Sequence, residues 1–96
     1  MKVINREKNS GKTKELINYS LENDIPILVL NDRKYQSLRE KCIAYFGCLP
    51  KVVTAEEAST YQGPVLIDDA DEILNGVIKN IVQNPQVNVV GMTLSA

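Results

Sequence analysis

Gly11, Lys12 and Thr13 carry the groups needed to hold a phosphate and the cation that accompanies it. They close the stretch "NSGKT" (9–13). A glycine lets the backbone approach an anion closely, and the N–H groups of a helix start add partial positive charge. A lysine ammonium reaches further phosphate oxygens, and a threonine hydroxyl is a hard oxygen suited to Mg²⁺. Later in the chain "VLIDDADE" (65–72) sets Asp68 and Asp69 at the end of an apolar run. Adjacent carboxylates repel one another, and a bound cation relieves that repulsion. Plainer readings exist for both stretches. Ser10 or Asn9 suits the N-cap of an ordinary helix. Acids at a helix start favour its dipole, which is enough to explain Asp71 and Glu72. It explains Asp68 less well, because Asp68 follows directly on a strand-like run.

The elements that position these residues alternate along the chain. "KVIN" (2–5) reads as a short strand, and 12–23 as a helix with Leu16, Ile17, Ser20 and Leu21 on one face. "PILVL" (26–30) is an unbroken apolar run of strand length, as expected of a strand buried on both faces. Asp32 is placed to cap a helix over 33–46, in which Tyr35, Leu38, Cys42 and Tyr45 recur at helical spacing. On that pattern Tyr35, Tyr45 and Phe46 point inward. Gly47 and Pro50 supply the stop. "KVVT" (51–54) is a strand, Thr54 and Glu57 form a capping box, "QGP" (62–64) is a turn and "VLID" (65–68) a strand. Ile73, Leu74, Val77, Ile78, Ile81 and Val82 stripe a helix over 70–83, and "VNVVGMTL" (87–94) is the last strand. Such alternation predicts an α/β three-layer α/β/α sandwich. Its sheet has five strands, is mostly parallel and is joined by right-handed crossovers.

With a strand before it and a helix after it, "REKNSGKT" (6–13) resembles the Walker A segment of the P-loop NTPases, whose pattern is G-x-x-x-x-G-K-[ST]. Arg6 stands where the first glycine would be. "VLIDDADE" resembles the Walker B segment. The resemblance implies a minimal P-loop NTPase fold over residues 1–96 that binds ATP or GTP with Mg²⁺. Asn9, Ser10, Gly11, Lys12 and Thr13 would cradle the phosphates. Lys12 would neutralise charge during catalysis, and Thr13 and Asp68 would hold the metal. Asp69 stands where many members have a water-polarising glutamate that is one methylene longer. The last strand falls where the family carries a γ-phosphate sensor, for which Thr93 is the candidate, with Ser95 behind it. That strand then belongs at the centre of the sheet, between the Walker A and Walker B strands. The changed loop start offers Arg6 or Lys8 as a substitute phosphate contact. "SGKTKELI", "IPILVLNDR", "KVVTAEEA" and "VLIDDAD" also look like the small zinc-ribbon thymidine kinases, but that family's zinc cysteines and thymidine-gripping segment have no counterpart here.

Composition bounds the function from outside. The chain has 96 residues, 44% apolar and 24% charged, with a net charge of −1, which gives no overall pull toward nucleic acid or membrane. Residues 1–51 carry ten basic and six acidic residues; residues 52–96 carry one and six. A cationic front half and an acidic back half fit phosphate and metal binding. Arg33, Lys34, Arg39 and Lys41 read as a solvated helix face, and the few aromatics give little support to nucleic-acid binding. With no histidine, Cys42 and Cys48 make no zinc site. Reduced thiols and the lack of an apolar leader in "MKVINREKNSGK" fit a cytoplasmic protein. No apolar run is long enough to span a membrane. The expectation is a nucleotide- and Mg²⁺-binding protein with weak or partner-dependent hydrolysis, acting with a protein partner or as a homo-oligomer. A non-catalytic adaptor or inhibitor, or a nucleoside kinase relic, are the alternatives. Small size and altered motifs resemble the habits of phage-encoded proteins.

Overall fold

The apolar runs form strands whose side chains are buried on both faces, and this is why helices must cover both. The computed structural model describes residues 2–6, 11–70 and 86–95. In chain order the elements are β1 (Lys2–Arg6), α1 (Lys12–Asn23), β2 (Ile27–Val29), α2 (Asp32–Phe46), β3 (Val52–Thr54), α3 (Ala55–Ala58), β4 (Gly63–Ile67) and β5 (Val87–Ser95). The five strands form one sheet in the order β1-β5-β4-β2-β3, and every pairing is parallel. The protein is therefore an α/β fold, and its helices lie on both faces of the sheet.

Handedness decides which face. The steps β1 to β2 and β2 to β3 run the same way across the sheet, so right-handed crossovers put α1 and α2 together. The step from β3 back to β4 puts α3 on the other side. The core divides accordingly. Ile4, Leu16, Ile17, Ile27, Val29, Leu38, Cys42 and Leu66 pack on the α1–α2 side. Leu28, Val53, Ala58, Val65, Ile67 and Ala70 pack on the α3 side. The expected helix over 70–83, with its apolar stripe, lies outside the described residues beyond Ala70.

Most boundaries follow local chemistry, with three corrections. The cap of α2 is Asn31, whose side chain accepts from the Lys34 amide at 2.8 Å. Asp32 is the first helical residue instead, where its charge meets the helix dipole. β4 begins at Gly63, within the expected turn, because proline is tolerated at a strand's start and Pro64 pairs with Asn88. Tyr45 is 54% exposed rather than inward, whereas Tyr35 and Phe46 do pack against the core. The Thr54–Glu57 capping box forms as expected, and Gly47 closes α2 in the left-handed conformation at φ 68°.

β5 lies between β1 and β4, an interior position beside the central strand β4. Its register against β4 contains one irregularity. Val65 pairs with Val89, but the next residue, Leu66, pairs with Gly91. Val90 is thus an extra residue, a β-bulge. Before it, Val87 and Val89 face the α3 side; after it, Met92 and Leu94 do. The bulge therefore turns Thr93 toward the α1–α2 side, in register with Ile4. Gly91 is needed at this crowded point, since a Cβ there would lie 2.6 Å from a Leu66 methyl and 3.2 Å from the Lys2 carbonyl oxygen. No helix among the described residues is long and apolar enough to cross a membrane.

Candidate functional site

The C-terminal ends of parallel strands gather side chains beside helix N-termini, and this is where ligands bind in open α/β sheets. Here β4 ends at Ile67, and Asp68 and Asp69 follow. Gly11 enters α1 in the left-handed region, at φ 81°, a conformation open to glycine and costly to other residues. It leaves Lys12 and Thr13 in the first turn of α1. Thr93 arrives from β5 by way of the bulge.

These groups meet. The Thr13 hydroxyl donates to the Asp68 carboxylate, 3.2 Å from Oδ1 and 3.1 Å from Oδ2. The Thr93 hydroxyl, fully buried, donates to Asp68 Oδ1 at 2.5 Å and accepts from the Asp69 amide at 2.7 Å. One hydroxyl thus ties down both acids. Asp69 itself sits in the left-handed region at φ 53°, which aspartate tolerates better than most residues. Its carboxylate pairs with the Lys12 ammonium at 3.1 Å and with Lys34 at 3.7 Å. Lys12 is only 5% exposed, so its charge is held by ionic partners rather than water.

Burial raises the Asp68 carboxyl pKa above its ordinary 3.8, and the neighbouring Asp69 charge pushes the same way. The hydrogen bonds from Thr93 and Thr13 and the charge of Lys41 pull against that rise without cancelling it. An acid in this position is better off with a cation beside it.

α2 crosses near this end of the sheet and lends it basic groups. Lys34, Ser37 and Lys41, spaced along one face, line a small space of about 40 Å³ with Thr13, Asp68 and Asp69. A second cavity of about 280 Å³ opens next to it, bounded by Gly11, Lys12 and Thr13 on α1, by Lys41 and Tyr45 on α2, and by Asp69. The Lys14 ammonium lies over the Tyr45 ring, 4.9 Å from its centroid, at the rim. This cavity is at the small end of the range for ligand sites.

The donors match the chemistry of Mg²⁺. That ion takes one or two protein oxygens and keeps water and phosphate for the rest. Thr13 and Asp68 offer two such oxygens together, and the Thr13 proton points to Asp68, which leaves its oxygen lone pairs for a metal. Among the described residues no cluster of three or more His, Cys, Asp or Glu side chains could hold a metal by itself. The set thus fits a metal shared with a phosphate, not an all-protein cage.

Of the residues singled out in the sequence, Gly11, Lys12, Thr13, Asp68, Asp69 and Thr93 come together. Asn9, Ser10 and Lys8 lie outside the described residues. Arg6 ends β1 in strand pairing with Ser95, so the position of the first loop glycine holds extended backbone that any residue adopts. Lys34 and Lys41, read in the sequence as part of a solvated face, also line the space beside the acids, and Lys41 is exposed as expected. The spacing of 34, 37, 41 and 45 puts them on one helical stripe next to the apolar one, but does not say what that stripe meets. Cys42 and Cys48 are free thiols, with sulfurs 3.9 Å apart. Comparisons with protein-family models, curated proteins and solved structures find no match for this chain.

Proposed function

We propose that the chain binds a nucleoside triphosphate, ATP or GTP, together with Mg²⁺, at the end of β4 and the start of α1. One observation carries the reading. A glycine-entered helix start, a buried lysine, a threonine hydroxyl and two strand-end carboxylates converge, with Thr13 at 3.1 Å from Asp68 and Lys12 at 3.1 Å from Asp69. The resemblance to P-loop NTPases gives each of these residues a role in the same place. The position of β5, between the strand before the loop and the strand before the acids, agrees with it.

On this reading Lys12 and the α1 amides neutralise phosphate charge, and Thr13 and Asp68 hold the metal. When bound, Mg²⁺ supplies Lewis acidity and screens the phosphate oxygens from one another. Asp69 acts on Lys12: it holds the ammonium at the cavity wall and yields it to a competing phosphate oxygen. Thr93 positions both acids.

Equilibrium binding of labelled ATP with Mg²⁺ tests the proposal. The Lys12→Ala variant, shown folded by circular dichroism, binds at least about a hundredfold more weakly than wild type, as expected for loss of a buried charged contact. Equal affinities sink the reading.

A second reading, an adaptor or inhibitor that binds phosphate without turnover, is favoured by the state of Asp69. Its carboxylate is engaged by two lysines, leaving it poorly placed to orient a water. Phosphate release by the pure protein that disappears in Lys12→Ala excludes this second reading.

A further inference from the structure

Among the described residues, the site holds more lysines than its carboxylates engage in ion pairs. Lys12 and Lys34 both pair with Asp69. Lys41 also lines the two cavities that flank the acids. Among the described residues, however, no carboxylate lies within ion-pair distance of it. Lys41 is exposed, and its ammonium can meet an incoming anion without first breaking an ion pair. Its place on α2 is set by burial of the next residue, Cys42, and of Leu38, which anchor the helix against the core. The lysine stem therefore rises from a fixed base beside the cavity.

We propose that Lys41 is a phosphate-contacting residue, which gives the bound phosphate chain a second cationic wall from α2, across the cavity from the start of α1. This rests on the nucleotide-binding reading and adds to it a group from within the chain. A polyanion entering between α1 and α2 meets Lys12 and the helix amides on one wall and Lys41 on the other. Charge on both walls lets the chain grip the phosphates without a lysine or arginine from a neighbouring subunit. The ligand feature Lys41 recognises is the polyphosphate, because an ammonium pairs with phosphate oxygens and not with an uncharged base. Inorganic tripolyphosphate should therefore compete for the same contact.

The test is equilibrium binding of Mg·ATP, and competition by tripolyphosphate, to wild type, Lys41→Gln, Lys41→Arg, Arg39→Gln and Lys12→Ala. Lys41→Gln is expected to lose about tenfold in affinity for both ligands, the worth of one charge-assisted contact. Lys41→Arg should recover most of it. Arg39→Gln, a charge change on the same helix that lines neither cavity, should bind as wild type does. Two results overturn the proposal: wild-type affinity in Lys41→Gln, or an equal loss in Arg39→Gln, which reduces the effect to long-range charge. If Lys12→Ala alone is weakened, the α2 wall falls and the nucleotide reading stands. If no variant is weakened, both fall.

Discussion

Asp68 is the residue on which the site's energetics turn. It ends a buried strand beside another acid, and burial raises its pKa above 3.8. The folded chain therefore binds this proton more tightly than the unfolded chain does. The resulting stability is fully present below the unfolded value of 3.8, and is lost as pH rises through the higher folded value. At neutrality the ionised acid is a cost to the fold. Asp68→Asn keeps an oxygen to accept from Thr13 and Thr93 and removes the charge. Its thermal midpoint should exceed that of wild type near neutrality, and the difference should shrink as pH falls through the raised folded value toward 3.8. A variant that is less stable than wild type at neutral pH contradicts this account. Gly11, Lys12, Thr13 and Asp68 were legible in the sequence because their types and order suffice to name the chemistry. Lys34 and Lys41 were not, because a lysine on a helix is solvated by default. What places these two beside Asp68 and Asp69 is the path of α2 over the start of α1, which no local pattern encodes.

Among the elements, β5 does most to shape the site while contributing one side chain to it. Its single glycine sits where Leu66 and the Lys2 backbone come closest, with 2.6 Å and 3.2 Å left for a Cβ. Gly91→Ala crowds the buried Leu66 methyl and the Lys2 carbonyl and should cost about 1–3 kcal/mol, read from the denaturant midpoint. A cost near zero would mean that the strands adjust freely. The element sequence was legible from apolar runs, capping residues and helical spacing. The ends of β2 and β4 were less so, because pairing with neighbours decides where a strand starts and stops. The bulge had left a trace in the lone glycine inside "VNVVGMT", a pattern that also fits a straight strand.

At the scale of the whole molecule, the opposite charges of the two halves of the sequence find each other. Lys12, Lys34 and Lys41 come from the basic first half, and Asp68 and Asp69 from the acidic second half. The parallel sheet makes this meeting possible, because each strand delivers its end to the same edge. The alternation of elements gave the parallel sheet in advance, but the alternation could not say which strand lies at the edge. Placing β5 inside depended on the family resemblance. A ligand that bridges the two halves should stabilise the whole fold. At a hundredfold excess over its Kd, Mg·ATP should raise the unfolding free energy by about 2.7 kcal/mol. Thermal unfolding checks this: the midpoint should rise with Mg·ATP in wild type and not in Lys12→Ala. An unmoved wild-type midpoint at saturating ligand would contradict it.

The extra residue in β5 makes the acid–hydroxyl cluster a matter of parity. Side chains along a strand alternate, and Val90 shifts the count by one before Thr93 is reached. Removing Val90 would leave Val65 opposite Val89 and Leu66 opposite Gly91 in regular pairing, with Thr93 still opposite Ile4 and beside the acids. The cluster thus tolerates the loss of the one extra residue in this apolar stretch but not the gain of another beyond the bulge. An in-frame deletion of the Val90 codon would leave it standing, whereas one residue inserted between Met92 and Thr93 would turn Thr93 to the α3 side and set the inserted side chain against the acids.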